Sequence, residues 1–309
     1  MQSSHVRVQI DLSRIRRNAA EVANSTGVPI WGVIKADAYG LGAQKIAPVL
    51  SEFVEGFCIF ALEEAEQINL WNLTQKPAIT IGPPSTLDPA RWLSAHVRPA
   101  VSTIEQAKQL KDANPILSID TAMQRFACPP DQIDAILEAG RITEAFTHAT
   151  HVNHAHRLRE LTAGRQLKLH SSATSLLNEP QARLDAVRPG LALYRSAVTV
   201  TVPLAETRQS KGPIGYTGWN NEGGFHGAIV AGYSNGLRPG PVTVNGRRQR
   251  IMEVGMQSAY VTLHKDDRAG DSVVLLGDAI AEADVAFAWG VTPHHALLVM
   301  ATMGRHEYR

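Results

Sequence analysis

The chain has 309 residues, of which 44% are hydrophobic, 19% charged and 6% aromatic. Its 30 Lys and Arg residues and 29 Asp and Glu residues leave a formal net charge of +1, so no global field favours a nucleic acid, a membrane surface or an acidic partner. The length predicts about two domains, or one large barrel with an appendage.

Short apolar runs alternate with helical patterns through the first two thirds of the chain. A predicted strand at 30–34 precedes a helix at 43–53, and a second pair follows at 56–60 and 62–71. Further strands are predicted at 78–81, 97–101, 116–119, 142–147, 166–169 and 186–188. Such alternation indicates an α/β fold with a parallel sheet, and about eight strands favour an N-terminal (β/α)8 TIM-type barrel.

The pattern changes near residue 195 to short strands separated by Gly and Pro, with little helical periodicity. The predicted strands cover 198–202, 227–230, 242–246, 259–263 and 272–276, and Asn245-Gly246 is typical of a hairpin turn. We therefore predict a barrel domain over 1–195 and a smaller C-terminal β domain over 196–309. Whether an N-terminal strand joins the second domain is left open.

The cellular context follows from the N-terminus and the cysteines. The N-terminus lacks the apolar region of a secretion signal, and no stretch approaches the roughly 20 apolar residues of a membrane helix. Cys58 and Cys128 are too few for a disulfide framework and suit a reducing compartment, although a single bridge between them stays open. These features predict a cytoplasmic protein.

The most informative segment is 33–42, which reads VIKADAYGLG. Lys35 stands at the carboxyl end of an apolar strand, where barrel enzymes place catalytic groups, and partial burial there would make its amine nucleophilic. The alternative is a strand-end lysine whose amine reaches solvent.

This segment resembles the pyridoxal-phosphate lysine motif of the alanine racemase family, and the resemblance extends over roughly residues 8–304. It implies a barrel followed by a β domain, with Lys35 bound covalently to pyridoxal 5'-phosphate and Tyr39 in contact with the cofactor phosphate. The implied activity is an amino-acid racemase that interconverts L- and D-alanine, or a related small amino acid, with two bases.

Further cofactor and substrate residues are implied by the same resemblance. Arg125, in the segment DTAMQR at 120–125, matches an arginine that contacts the substrate carboxylate, to which a planar guanidinium is suited. His148 matches a histidine on the flank of the cofactor, and Ser172 a serine that binds the phosphate. On residue type alone, Arg125 could equally be an exposed loop arginine.

The segment VRPGLALY at 187–194 is a second match. Arg188 corresponds to an arginine that faces the pyridine nitrogen, while Gly190 and Leu191 correspond to backbone N–H donors to the phosphate. An arginine at this place disfavours a fold-related decarboxylase, because those enzymes use an acidic residue there.

The second base of the family is a tyrosine from the C-terminal domain of a partner subunit. Tyr216 matches it, Tyr233 matches a residue at the substrate entrance, and Met256 and Gln257 match a loop that meets the substrate. The resemblance therefore implies a head-to-tail homodimer with two composite sites. Without the motif, Tyr216 could be an ordinary half-buried tyrosine of a β domain.

Four departures from the family pattern leave the substrate open, and one of them is a β domain that is shorter than usual. Ser118 stands where the family often has a carbamylated lysine, Gln257 replaces an aspartate, and the C-terminal phosphate tyrosine has no clear counterpart, although Tyr308 lies close by. Two alternatives remain: a racemase or epimerase for a different amino acid, and a non-catalytic pyridoxal-phosphate-binding or regulatory homologue.

Two further clusters suggest weaker hypotheses. His148, His151, His154 and His156 have a spacing that could bind zinc or nickel, but no acidic or cysteine residue accompanies them, so we predict no metal site. The basic run 247–250 is too short for a nucleic-acid surface and is typical of a charged strand edge.

Overall fold

A computed structural model describes residues 3–172 and 174–309. The described residues form two compact units. The parallel-strand unit lies within 15–38 and 42–193, and the antiparallel unit lies within 1–14, 39–41 and 194–309.

The strands and helices follow the chain in this order. The strands are β1 (Ser3–Ile10), β2 (Trp31–Val33), β3 (Gly56–Ile59), β4 (Ala78–Thr80), β5 (Val97–Arg98), β6 (Ala100–Val101), β7 (Ile116–Ser118), β8 (Glu144–Phe146), β9 (Lys168–Ser172), β10 (Ala186–Arg188), β11 (Val198–Gln209), β12 (Pro213–Ile214), β13 (Trp219–Asn220), β14 (Phe225–Ile229), β15 (Gly240–Val244), β16 (Arg247–Val254), β17 (Ala259–Leu263), β18 (Ser272–Leu276) and β19 (Gly304–Tyr308). The helices are α1 (Leu12–Thr26), α2 (Lys35–Gly40), α3 (Ala43–Leu50), α4 (Leu62–Ile68), α5 (Leu70–Thr74), α6 (Pro89–Ser94), α7 (Ile104–Gln109), α8 (Ile133–Gly140), α9 (Val152–Leu161), α10 (Leu191–Tyr194), α11 (Glu282–Trp289) and α12 (Pro293–Thr302).

Every strand pair of the parallel-strand unit is parallel, as the strand and helix alternation predicts. The hydrogen-bonded orders are β2-β3-β4-β5 and β6-β7-β8-β9-β10. Pro99, which has no N–H to donate, is the single residue between β5 and β6. A parallel bridge between Ile30 and Val187 links β10 to the residue before β2. The segments that follow neighbouring parallel strands therefore lie close together, at the carboxyl ends of the strands.

Burial explains why β2, β3 and β4 consist mostly of apolar residues. All residues of β2, β3 and β4 are buried, which is the pattern of parallel strands that are covered on both faces. Two later helices of the unit begin with side-chain caps. Asp88, before α6, accepts a hydrogen bond from the N–H of Ala90, and Thr103, before α7, accepts one from the N–H of Gln106.

The antiparallel unit contains a sheet in the order β14-β17-β16-β15-β18-β11-β1-β19, in which β11 also pairs with β14. β1 pairs antiparallel with β11 and parallel with β19. The predicted hairpin at Asn245-Gly246 is confirmed, because β15 and β16 pair on either side of it and both residues have the positive φ, 50° and 73°, that this turn requires.

Two sequence expectations about helices are wrong. The predicted helix at 62–71 is split into α4 and α5 at Asn69, which has a φ of 50°. The expected lack of helices after residue 195 is contradicted by α11 and α12, whose apolar residues are spread around the helix and so give no single-face period.

Cys58 and Cys128 are both buried and free, so they form no disulfide with each other. None of the helices in the described part of the chain is both long and apolar enough to span a lipid bilayer.

Candidate active site

Lys35 opens an unusual segment at the carboxyl end of β2. The residues 36–39 have φ values between 52° and 61°, and Gly40 continues at 77°, so the backbone forms a left-handed helical turn. Each non-glycine residue in this conformation costs about 1–2 kcal/mol, and such strain persists only where the surrounding structure holds it. Two hydrogen bonds do so here: the N–H of Ala38 donates to the carbonyl of Ile34 at 2.7 Å, and the N–H of Ala43 donates to Oδ1 of Asp37 at 2.7 Å.

The environment of Lys35 lowers the pKa of its amine. Burial of the partly covered side chain contributes most, and the positive charge of Arg125 contributes next, while Glu64 acts in the opposite direction. Arg188 lowers the pKa further. A lowered pKa leaves a larger fraction of the amine neutral near neutral pH, and the neutral amine is the form that can act as a nucleophile or a base.

Arg188 ends β10 and is 3% exposed. Its Nη2 donates to the carbonyl of Thr147 at 2.6 Å, its Nε donates to the carbonyl of Ser171 at 3.3 Å, and its guanidinium lies 4.1 Å from the ring centre of Phe146. Burial lowers its pKa to about 10, so it stays protonated at neutral pH. Its Nη1 is buried without a hydrogen-bond partner among the described residues, which leaves one oriented donor for an acceptor.

The other predicted cofactor residues follow neighbouring strands of the same unit. His148 lies half-buried just after β8, and Ser172 ends β9 with its Oγ accepting a hydrogen bond from the N–H of Ala149 at 3.1 Å. Gly190 is buried after β10, and Leu191 begins α10. The parallel-strand unit thus groups these residues at the carboxyl ends of β8, β9 and β10.

Arg125 lies in an exposed loop after β7, and the structure shows what shapes this loop. Oδ1 of Asp120 accepts hydrogen bonds from the N–H groups of Ala122 and Gln124 at 2.9 and 3.0 Å. The hydroxyls of Thr121 and Thr147 lie 2.7 Å apart, so the loop is tied to the end of β8. Ser118 is buried in β7, and its carbonyl fixes the end of the loop by accepting a hydrogen bond from the N–H of Cys128 at 2.8 Å.

Tyr39 belongs to the antiparallel unit, where its ring is buried between two others. The ring centres of Tyr194 and His294 lie 5.1 and 5.9 Å away. His294 stands near the start of α12 and was not predicted from the sequence, where its only signal is the pair of histidines in PHHALL. Tyr308 lies in the same unit and donates from its hydroxyl to the carbonyl of Leu41 at 2.9 Å.

Tyr216 lies in the turn between β12 and β13, and its side chain is 93% exposed. The carboxylate of Glu253 holds this turn: it accepts from the N–H of Tyr216 at 2.5 Å, from the N–H of Thr217 at 3.0 Å and from the hydroxyl of Thr217. Gly215 has a φ of 69°, and a Cβ there would collide with Glu253. No motif or spacing in the sequence points to Glu253.

Tyr233, Met256 and Gln257 form a second exposed part of the antiparallel unit. The N–H of Tyr233 donates to the carbonyl of Gly255 at 2.9 Å, and the N–H of Ser234 donates to the carbonyl of Met256 at 3.0 Å. A Cβ at Gly255 would lie 3.5 Å from the ring of Tyr216. These two loops and the Tyr216 turn are therefore neighbours.

The predicted residues fall into two groups. Lys35, Arg125, His148, Ser172, Arg188, Gly190 and Leu191 belong to the parallel-strand unit, and Tyr39, Tyr216, Tyr233, Met256 and Gln257 to the antiparallel unit. In the described residues, no three His, Cys, Asp or Glu side chains form a group that could hold a metal ion. His151 instead accepts from the N–H of Asn153 at the start of α9, and His154 accepts from the N–H of Thr150.

Comparison with known proteins identifies the family of the chain. Residues 10–197 match the family described as alanine racemase, N-terminal domain. The alanine racemases of Aeromonas hydrophila and Halorhodospira halophila are 27% and 26% identical to this chain, over 97% and 99% of it and 98% of each relative. The chain belongs to the alanine racemase family.

Solved structures show the same fold. The biosynthetic alanine racemase of Pseudomonas aeruginosa superposes with a TM-score of 0.90 at 22% identity, covering 99% of this chain and 100% of that one. The alanine racemase of Bartonella henselae with covalently bound pyridoxal phosphate superposes with a TM-score of 0.88 at 21% identity, with the same coverage.

Proposed function

We propose that the chain is a pyridoxal-phosphate-dependent alanine racemase that interconverts L- and D-alanine. The observation on which this rests is the half-buried amine of Lys35 at the end of β2, with its pKa lowered by burial and by the charges of Arg125 and Arg188. Membership of the alanine racemase family and full-length relatives named alanine racemase support the proposal.

We infer that the parallel strands close into a (β/α)8 barrel. Because Pro99 alone separates β5 from β6, these two count as one strand, and the bridge between Ile30 and Val187 joins the last strand to the first. The barrel domain then ends near residue 195, with the β domain after it. A closed barrel supports the function because it places Lys35, His148 and Arg188 at one end, where barrel enzymes have their active sites.

The residues present fit pyridoxal phosphate. The buried Nη1 of Arg188 has no partner among the described residues and suits a neutral acceptor such as the pyridine nitrogen. Lys35 would hold the cofactor covalently, His148 would flank its ring, and four further residues would hold its phosphate: Tyr39, Ser172, Gly190 and Leu191. When bound, the cofactor supplies an electron sink that acidifies the Cα proton of an amino acid.

The chain's own residues then bind the substrate and move the proton. Arg125 and the loop of the partner subunit's Met256 and Gln257 bind the substrate carboxylate. Lys35 takes or returns the Cα proton on one face. The partner subunit's Tyr216 does so on the opposite face, with the partner's Tyr233 at the entrance. Arg188, whose guanidinium stays protonated at neutral pH, would donate a hydrogen bond to the ring nitrogen and so would leave that nitrogen without a proton of its own.

We propose further that the enzyme is a head-to-tail homodimer in the cytoplasm and that Tyr216 serves the site of a partner subunit. The 93% exposure of Tyr216, beside the exposed Tyr233 and Met256, supports a surface that becomes covered. A second candidate function is racemisation of another amino acid. Gln257 and Ser118 favour it, because both depart from the family pattern near the predicted carboxylate-binding residues.

The test is Cα hydrogen–deuterium exchange in heavy water, with added pyridoxal phosphate, over a panel of L- and D-amino acids. Exchange with inversion of alanine alone is the expected result, and exchange of a different amino acid would favour the second candidate. Cofactor bound at Lys35 without exchange of any amino acid would contradict both. In Tyr216→Phe, exchange should be lost unequally from the two enantiomers, while equal loss would contradict the two-base assignment.

A further inference from the structure

Glu64, in the first turn of α4, joins the ends of two neighbouring strands. Its Oε1 accepts a hydrogen bond from the N–H of Ala36 at 2.7 Å, and its Oε2 accepts one from the N–H of Phe60 at 2.5 Å. Ala36 directly follows Lys35 after β2, and Phe60 directly follows β3. A single carboxylate thus binds the backbone at the point where the chain leaves both strands.

These two N–H groups lie beyond the last residues that pair β2 with β3, so the strand ladder does not supply their acceptors. Ala36 also begins the left-handed turn, where the backbone is strained. Hydrogen bonds to an ionised acceptor are about twice as strong as neutral ones. Glu64 is therefore one of the contacts that hold the strained turn, and Lys35 at its start, in place.

Glu64 also acts on the charge of Lys35. Burial and the guanidinium groups of Arg125 and Arg188 lower the pKa of the Lys35 amine, while Glu64 and Cys58 raise it. Burial raises the pKa of the Cys58 thiol to about 12, so this thiol is neutral at neutral pH and adds no charge there. Of these described groups, Glu64 is the anion that offsets the two arginines.

We propose that Glu64 is a positioning residue for Lys35, holding the backbone from which the amine extends and balancing its charge against Arg125 and Arg188. The proposal rests on the proposed function, since Lys35 needs a fixed position and a suitable protonation state as the base and cofactor lysine. Glu64 acts through Lys35 and its neighbours and is not itself a catalytic residue.

The test compares Glu64→Gln with Glu63→Gln in the full-length protein from which pyridoxal phosphate has been removed. Glu63 is the adjacent carboxylate of the same helix, but it accepts from the hydroxyl of Ser85 at 2.9 Å and lies 3.1 Å from Arg91. The pKa of Lys35 is measured from the pH dependence of its labelling by an amine-specific reagent, read by mass spectrometry. Glu64→Gln should lower this pKa relative to the wild type, and Glu63→Gln should leave it unchanged.

Backbone amide exchange is the second readout, and Glu64→Asp provides a conservative variant in case Glu64→Gln does not fold. An aspartate keeps the charge but is one methylene too short to reach both N–H groups. The amide of Ala36 or of Phe60 should exchange about tenfold faster or more, which matches the loss of one charge-assisted hydrogen bond. The pKa of Lys35 should stay near that of the wild type.

The outcomes separate this proposal from the proposed function. An unchanged Lys35 pKa in a folded Glu64→Gln, or unchanged exchange at both amides in Glu64→Asp, would overturn the role of Glu64. Absence of Cα exchange in the wild-type enzyme would overturn the racemase proposal instead, and the labelling and amide results, which need no substrate, would still decide the role of Glu64 in positioning Lys35.

Discussion

The carboxylate of Glu253 accepts a hydrogen bond from the backbone N–H of Tyr216, with 2.5 Å between Oε1 and N. The other oxygen accepts from the N–H and the hydroxyl of Thr217, and these bonds lower the pKa of Glu253. The side chain of Tyr216 is almost fully exposed, whereas Glu253 is only 6% exposed. The backbone of the proposed second base is therefore fixed while its phenol stays free to enter a site.

The first prediction is that Glu253→Gln slows proton transfer by Tyr216. A glutamine has nearly the same volume, but it presents an NH2 group to donors that need an acceptor, so the turn should shift. A misplacement of about 1 Å can cost up to about 100-fold in rate, and we expect a loss of ten- to 100-fold in alanine racemisation. Binding of pyridoxal phosphate, measured by its visible absorbance, should not change.

The control for this prediction is Glu206→Gln. Glu206 is a carboxylate on β11 that lies 2.8 Å from Arg208 and has no part in the Tyr216 turn. Glu206→Gln should leave the rate within about twofold of the wild type, because it removes no contact of that turn and surface substitutions usually change stability by no more than about 0.5 kcal/mol. Equal rates in Glu253→Gln and the wild type would show that Tyr216 needs no such support.

The contact between Glu253 and Tyr216 is one that could not be predicted from the sequence. The two residues are 37 positions apart, and a glutamate in β16 reads as an ordinary polar residue of an alternating strand. Its role depends on where two backbone N–H groups of another turn lie in space. Lys35 and Arg188 could be proposed from the sequence because each stands in a contiguous motif, while Glu64 and Glu253 contact backbone atoms and have no motif.

The same distinction applies to the fold. The strands β2, β3 and β4 were predictable because each is buried throughout and mostly apolar. The turn at Asn245-Gly246 was predictable because its residue types tolerate positive φ. The left-handed turn after Lys35 was not predictable, because Ala36, Asp37 and Ala38 give no local signal for it. Contacts with other segments hold the turn. α11 and α12 were missed because their apolar residues do not lie on a single face.

The second prediction concerns the buried guanidinium of Arg188. In Arg188→Lys, one ammonium cannot replace the bonds to the carbonyls of Thr147 and Ser171 and also keep a donor for the cofactor. We expect a loss of about 2–4 kcal/mol in the free energy of unfolding, because a buried charge loses partners. We also expect pyridoxal phosphate binding to weaken by about tenfold or more.

Arg183→Lys is the matched control for this second prediction. Arg183 also donates to two carbonyls, those of Leu177 and Thr26, at 3.0 and 3.3 Å, but it is not among the proposed cofactor residues. This variant should lose stability and keep its affinity for pyridoxal phosphate. Denaturant unfolding and fluorescence titration with the cofactor separate the two effects, and equal affinity in both variants would remove Arg188 from the cofactor site.

The third prediction tests the strain in the turn after Lys35. Ala36 is exposed and has a φ of 52°, a conformation that glycine adopts without a steric penalty. Ala36→Gly keeps the N–H that donates to Glu64, and the relief of strain should raise the free energy of unfolding by up to about 1 kcal/mol. Ala36→Val should lower it by about 1–2 kcal/mol, because a β-branched residue tolerates this region poorly.

The opposite sign is expected for the same change in a right-handed helix. Ala23 lies in α1, where replacement by glycine should cost about 1 kcal/mol. Urea unfolding of Ala36→Gly and Ala23→Gly, both without cofactor, therefore tests the conformation directly. A destabilisation of similar size in both variants would contradict a left-handed turn at Ala36.

The fourth prediction is that the charged amine of Lys35 lowers the free energy of unfolding of the cofactor-free protein at neutral pH. Burial and the nearby arginines lower the pKa of its amine below the ordinary value of 10.5, so the folded state disfavours the charged form. The cost is full below the lowered pKa, where the amine is charged in both the folded and unfolded states. The cost shrinks as the pH rises through the lowered pKa and disappears above 10.5, where the amine is neutral in both states.

Lys35→Met should therefore abolish racemisation and yet be more stable than the wild type at pH 7, by about 1 kcal/mol, as is common when a functional group under strain is replaced. The gain should shrink at alkaline pH, since the wild type then loses its penalty. Lys45→Met, at an exposed position of α3, should change stability equally at both pH values. A Lys35→Met gain that does not depend on pH would show that packing, and not the charge of the amine, sets the stability at this position.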